Sequence, residues 1–282
     1  MADRPAGFVM KVGPNQVIQW YPGHMAAAMR NIAARMQLCD LVIEVIDARL
    51  PRSGTNPALN AIIANRPRLV VLSREDLADP DSTVNWLTYF NSLQRKAVAI
   101  NGREQSSVAK VMFALEQLPR IALRARRAIV VGLPNSGKSA VINGMLRRAA
   151  AKTENRAGVT RATQWFRAAP GLEVMDTPGI LVPKIDSSQA QWMLAMTGAI
   201  PHERFDPQDV VERFGLWLRQ ETEGRTAIPD LTTFADKRGF LNRGNISDLH
   251  NAATSYIKDF NDGKFGRMTF ELASDDAQTA KS

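Results

Sequence analysis

Cysteine is almost missing: Cys39 stands alone among 282 residues, which excludes an intrachain disulfide and any cysteine-rich metal centre. That scarcity fits a reducing cytosol. Long hydrophobic runs are missing too, since Leu69–Leu72 and Ala128–Val131 fall far short of the ~18 apolar residues a membrane span needs. The opening segment, MADRPAGFVMKVGPNQ, has no continuous apolar core and carries Asp3, which argues against a secretory leader. It is also poor in the arginine and serine of a mitochondrial address, so a cytoplasmic location is expected. No long internal repeat or low-complexity tract occurs. Acidic side chains are outnumbered, 28 Asp and Glu against 36 Lys and Arg, for a formal net charge of +8. Such a balance favours a polyanionic partner.

What remains is an ordinary globular composition, 45% apolar and 23% charged. Five short, nearly unbroken apolar runs punctuate the first two thirds: Leu41–Ala48, Leu69–Ser73, Ala97–Asn101, Ala128–Gly132 and Leu172–Asp176. Helix-length segments separate them. Strands without polar alternation are those of a parallel sheet covered on both faces, so the class is α/β. A first helix is expected from about Met25 to Leu38, with Met25, Met29, Ile32 and Met36 on one face and Arg30 and Arg35 turned outward. Beyond Asp186 the pattern becomes helical. WMLAMTGAI, VVERFGLWL and LHNAATSYIKDF read as amphipathic helices separated by Pro201, Pro207, Pro229 and Gly244. The expected division is 1–186 for the α/β domain and 187–282 for a small helical domain.

Gly132-Leu-Pro-Asn-Ser-Gly-Lys-Ser139 has the spacing of a phosphate-binding loop and follows an apolar strand. Its glycines let backbone N–H groups curl around phosphate oxygens, Lys138 supplies charge to the β and γ phosphates, and Ser139 can ligate Mg²⁺. The helix that follows turns its N-terminus to the anion. Downstream, Asp176-Thr-Pro-Gly179 closes another strand: Asp176 can hold Mg²⁺ through water and Gly179 can offer its N–H to a γ-phosphate. Between the two lies Thr160, a candidate to complete the metal shell or, more plainly, a solvated loop threonine. The elements that would read a guanine base stand upstream instead. One strand ends in Ser73-Arg74-Glu75-Asp76, where Asp76 can accept both the N1 and N2 hydrogens of guanine, and another ends in Asn101-Gly102. The order is thus base reading, phosphate loop, switches, a circular permutation of the usual order.

That order, with IQWYPGHM (Ile18 to Met25), DARLPRSGTNP (Asp47 to Pro57), DTPGILVPK (Asp176 to Lys184) and KFGRMTFE (Lys264 to Glu271), closely resembles the ribosome-biogenesis GTPase A family. The resemblance runs from about Gln16 to Glu271. It implies a circularly permuted P-loop GTPase domain with a mostly parallel sheet, then a helical RNA-contacting domain, acting in late maturation of the large ribosomal subunit. It implies GTP and GDP as ligands, with the base and phosphates held by Ser73, Arg74, Glu75, Asp76, Asn101, Gly102, Asn135, Ser136, Gly137, Lys138, Ser139, Ala140 and Gly179. It further implies Mg²⁺ on Ser139, Thr160 and Asp176, K⁺ on Asn135, and His24 of the PGHM segment as the group that positions water. The catalytic set is then His24, Lys138 and Thr160. Ile180 stands where many GTPases carry a water-orienting glutamine.

One departure concerns the base. The family's reading motif usually begins Asn-Lys, and here Ser73 and Arg74 occupy those positions. Ser73 is shorter and is expected to lose a hydrogen bond to the base, whereas Arg74 can stack on it. Basic residues gather around the switch region (Arg124, Arg126, Arg127, Arg147, Arg148, Lys152, Arg156, Arg161, Arg167) and again in the helical part (Lys237, Arg238, Arg243, Lys258, Lys264, Arg267). They would meet rRNA phosphates by shape and charge, or serve only as solvated helix faces. The expected partner is the large-subunit precursor with its rRNA, the chain being a monomer off the ribosome with no membrane span. Two other readings stay open: an RNA-binding assembly factor that uses GTP as a clamp with negligible turnover, and a P-loop enzyme acting on ATP or a small metabolite, against which Asp76 argues.

Overall fold

The apolar runs are neighbours in one sheet. The structure, a computed structural model, describes residues 22–63, 65–120, 124–152, 165–177, 185, 187–241 and 247–273, with side chains from Met29 in the first helix and as far as Arg147 in the helix after the phosphate loop. Strands β1 (Leu41–Asp47), β2 (Arg68–Ser73), β3 (Lys96–Ile100), β4 (Arg126–Val131), β5 (Trp165–Ala169) and β6 (Leu172–Asp176) stand in the order β3-β2-β1-β4-β6-β5. All neighbours are parallel except β5 and β6. Helices α1 (Pro22–Met36), α2 (Pro57–Ile63), α3 (Pro80–Ser92), α4 (Gln105–Glu116) and α5 (Lys138–Lys152) complete this part.

The absence of polar alternation has the expected cause: both faces of the sheet are dry. Leu41, Ile43, Val45, Leu69 and Val71 pack with Val108, Val111 and Leu115 of α4 and Val141, Ile142 and Met145 of α5. Ile46, Val70, Leu72, Ala97 and Ala99 face the other way, onto Trp86 and Phe90 of α3. Each such aliphatic side chain contributes about 1.5–3 kcal/mol on full burial. The one polar residue inside β1, Glu44, is buried and paired with Arg68 of β2. Helix α1 begins at Pro22, three residues before the expected start, and buries Ile32 and Met36. Cys39 is buried, and burial pushes its thiol up to about 11, the behaviour of an inert packing residue.

The described residues form two compact units: one from the described part of Trp20–Pro183 and Arg267–Ser282, the other from the described part of Lys184–Gly266. The second unit contains α6 (Ser188–Met196), a 3₁₀ turn at His202–Arg204, α7 (Pro207–Glu221), α8 (Leu231–Arg238) and α9 (Leu249–Asn261). Its core is aromatic, with Phe214, Phe234, Tyr256 and Phe260 in mutual ring contact. Ser187, Asp206, Asp230 and Asp248 each accept a backbone N–H at the start of a helix. Pro207 opens α7 rather than separating helices, because a first helical position needs no N–H donor. The residues from Arg267, which the sequence reading assigns to the helical part, make their hydrogen bonds with the sheet unit. No helix among the described residues is long and apolar enough to cross a membrane.

Candidate nucleotide-binding site

Strands β2 and β3 extend to one side of β1, and β4 and β6 to the other. The crevice outside the carboxyl ends of strands at such a reversal is where open parallel sheets bind ligands. The register makes room there. Val131, the last residue of β4, pairs with Glu44, whereas β1 continues to Asp47. The chain therefore leaves the sheet beside Val45, and Gly132 lies so close that a Cβ would stand 2.2 Å from Val45 O. Its φ of +152° and the +93° of Gly137 explain why both positions are glycine. Asn135 also takes a left-handed turn, with φ of 55°.

Lys138, the first residue of α5, is only 7% exposed and folds back over this loop. Its Nζ donates to Leu133 O at 2.7 Å and to Gly132 O at 3.3 Å. Burial pulls the ammonium below the ordinary lysine range, and Asp176 partly restores it. Asp176 sits exposed at the end of β6; desolvation raises its carboxyl and Lys138 counters the rise. Ser136 Oγ is buried with no hydrogen-bond partner among the described residues. A desolvated ammonium, an orphaned hydroxyl and the first turn of α5 make a donor set that fits polyphosphate. Ser139 and Ala140 are exposed in that turn.

The loop after β2 is tied to the loop after β4 by side chains. Ser73 is 2% exposed, and its Oγ donates to Ser136 O at 2.6 Å and lies 3.2 Å from Ile46 O. Arg74, with φ of 58°, spans Asp47 Oδ2 and Asn135 O, both at 3.0 Å. Both side chains, which the sequence reading places near a base, join the two loops here. Beyond them, Asp76 is half-buried. Glu75 accepts from Lys110 at 3.2 Å, and its N–H donates to Ile100 O at 3.1 Å. Asn101 caps the next turn, accepting from Arg103 N and donating to Glu104 Oε1, each at 3.0 Å. A side chain at Gly102 would begin 3.1 Å from Ala140 Cβ, so this loop adjoins the first turn of α5.

Two residues quoted only for their resemblance prove central. Asp47 accepts from Arg49 three times, from Nε and N at 3.0 Å and from Nη2 at 2.8 Å. Burial alone would raise its carboxyl, yet the Arg49 and Arg74 guanidiniums hold it below the usual carboxylate range. The signal was an Asp-x-Arg at a strand end, short enough for one side chain to fold onto the other. Thr160 and Gly179 lie outside the described residues. The backbone of His24 is in the first turn of α1, and its side chain lies outside the described set. Three arginines of the expected RNA-facing cluster have structural partners. Arg126 is 6% exposed and donates to Leu115 O, Arg124 pairs with Asp40, and Arg127 pairs with Glu173 while lying over Trp165.

Known proteins resemble the chain over most of its length. A family model described as 50S ribosome-binding GTPase matches residues 127–206. Ribosome biogenesis GTPase A of Bacillus cereus is 38% identical over 277 residues, covering 90% of this chain and 94% of that protein. The same-named protein of Thermotoga maritima is 30% identical, covering 92% and 95%. The chain belongs to the ribosome biogenesis GTPase A family. It is therefore a P-loop GTPase, a GTP hydrolase, and its fold matches a crystal structure of GNP-bound YlqF from T. maritima with a TM-score of 0.72 at 27% identity, over 88% of this chain and 98% of that one. Within the family fold, the ends of β1, β2 and β4 hold the tied loops described above.

Proposed function

We propose that this GTPase binds a precursor of the large ribosomal subunit through rRNA and hydrolyses GTP as the particle matures. The observation that carries the reading is the tie of Ser73 and Arg74 onto Ser136 and Asn135, which joins a base-reading loop to a phosphate loop across the permuted sheet. The names of the relatives support the ribosomal setting, and the surplus of 36 basic over 28 acidic residues supports an RNA partner. Exposed Lys237 and Lys258 of the helical unit are suited to phosphate contacts, which would make binding steeply salt-dependent.

In this reading Asp76 accepts the N1 and N2 hydrogens of guanine, with Asn101 and Gly102 beside the base. Lys138 and the loop N–H groups hold the β and γ phosphates. Ser139 and Thr160 would hold Mg²⁺, with Asp176 acting through water; when bound, the ion neutralises phosphate charge. Asn135 would hold K⁺. His24 orients the attacking water when the particle is bound.

GTP turnover measured with and without purified large subunits, in potassium and in sodium, tests the proposal. Subunits and potassium should each raise the rate, and His24→Ala should lower the stimulated rate at least ~10²-fold with GTP affinity kept. Unstimulated turnover in every condition would favour a nucleotide clamp instead, and wild-type stimulation in His24→Ala would remove His24 from the mechanism.

A further inference from the structure

The residues after Gly266 run back along the sheet unit as a strap, bonding first to the loop after β2 and then to the loop after β1. Arg267 donates from Nη2 to Glu75 O at 2.7 Å and from Nε to Ala78 O at 2.8 Å. Met268 N donates to Leu77 O at 3.0 Å, and Thr269 Oγ1 accepts from Asp79 N at 3.1 Å. Phe270 N then donates to Arg49 O at 2.9 Å. Glu271 anchors the far end: its buried carboxyl accepts from Arg52 N at 2.7 Å, Ser53 N at 3.1 Å and the Ser53 hydroxyl, and its carbonyl accepts from Trp86 Nε1 at 2.9 Å.

The first of these bonds is the consequential one. Glu75 O belongs to the planar peptide that contains the nitrogen of Asp76, so holding that oxygen sets the plane from which Asp76 departs. The other side of Glu75 is already held, through its N–H on Ile100 O. Loops are more mobile than the elements they connect, and a two-bond readout needs its geometry held to within about half an ångström.

We propose that Arg267 is a positioning residue for guanine selectivity, holding the Glu75–Asp76 peptide so that the Asp76 carboxylate faces the base. This rests on reading Asp76 as the guanine acceptor.

The test is a titration of the full chain with GDP and IDP, the latter lacking the 2-amino donor. Arg267→Ala should weaken GDP about tenfold and compress the GDP-to-IDP preference about fivefold, because a misplaced carboxylate forfeits the N2 contact. Single-turnover hydrolysis of saturating GTP should stay within about twofold, as the phosphate loop is untouched. Arg267→Lys, which keeps one donor, should restore part of the preference. Arg267 is exposed, so both variants should fold, which thermal melting checks. Unchanged GDP affinity in folded Arg267→Ala, or GDP and IDP weakened equally, would overturn the proposal, since a purely structural strap moves both together. Asp76→Asn separates this failure from that of the underlying reading: an asparagine can donate to the 2-oxo group of xanthine, so XDP should overtake GDP. If XDP does not, Asp76 is not the base reader. If it does while Arg267→Ala is silent, the strap proposal alone fails.

Discussion

The loop proposed to hold phosphates and the loop proposed to read the base meet in one crevice, yet they are shaped by different means. Residues Gly132 to Ser139 owe their path to backbone: a strand that stops early, two glycines with positive φ, and a helix that starts at Lys138. The base loop owes its path to side chains drawn from Asp47, Arg49, Arg74 and Arg267, which span more than 200 residues of chain. A backbone-shaped site survives many substitutions outside its glycines. A site held by side-chain bonds is weakened by the loss of any member.

Asp47 gives the sharpest test of that contrast. It carries two guanidiniums in a buried setting, so Asp47→Asn removes the charge that Arg49 and Arg74 share and should cost about 3 kcal/mol of stability, measured by urea unfolding. The sign with pH follows from its lowered carboxyl. Stability from this group is fully present above the ordinary aspartate value near 3.8 and is lost as pH falls through the lower folded value. The wild type should therefore lose this increment only in acid, below about pH 4, while Asp47→Asn lacks it throughout and shows a flatter acid limb. If the variant matches the wild type at pH 7, the base loop is not held through Asp47.

Lys138 probes the other loop, with opposite consequences for binding and stability. Its ammonium is buried against loop carbonyls and lies below the ordinary lysine range, so without nucleotide its charge is a burden. Stability linked to such a lowered group is absent at neutral pH and returns only as pH rises toward about 10.5, the ordinary lysine value. Lys138→Met should then weaken GTP about 10–100-fold, the worth of a charge-assisted phosphate contact, while the nucleotide-free protein melts no lower than the wild type. A large drop in melting temperature without nucleotide would show that the lysine shapes the loop, and would blur the contrast.

How much of this was legible follows the same division. Unbroken apolar runs such as LVIEVID announced a sheet dry on both faces, and GLPNSGKS announced its own turn and helix, because both are local patterns. Strand β5, WFRAA, escaped notice because as an antiparallel edge strand it is buried only at Ala168 and turns Arg167 to solvent. Helix α8, LTTFADKR, buries just Leu231, Phe234 and Ala235, too few to show a period. The pairing of Arg267 with Glu75 and of Glu271 with Ser53 spans about two hundred residues, and no window along the chain reveals it. Arg126 read as an RNA ligand only because charge does not disclose that a guanidinium is buried under Leu115.

Ser73 decides where one loop ends and the other begins, and the expected effect is the smallest of the three. From its place in the motif it should read the base, and Ser73→Asn should then tighten GTP and raise the preference for GDP over IDP. From its bonds it belongs to the phosphate loop: Oγ donates to Ser136 O at 2.6 Å from a position 2% exposed. The two accounts part at Ser73→Ala. Losing one neutral hydrogen bond costs about 1 kcal/mol, so GDP, IDP and ADP should all weaken about fivefold, with their ratios unchanged. Ser73→Asn should gain less than about threefold for GDP, because the loop tie already exists and the added atoms must fit where Gly137 comes within 3.0 Å of Ser73 Oγ at a built Cβ. Parallel titrations of the three diphosphates against both variants separate the accounts. A change in the GDP-to-IDP ratio in Ser73→Ala would return Ser73 to the base side.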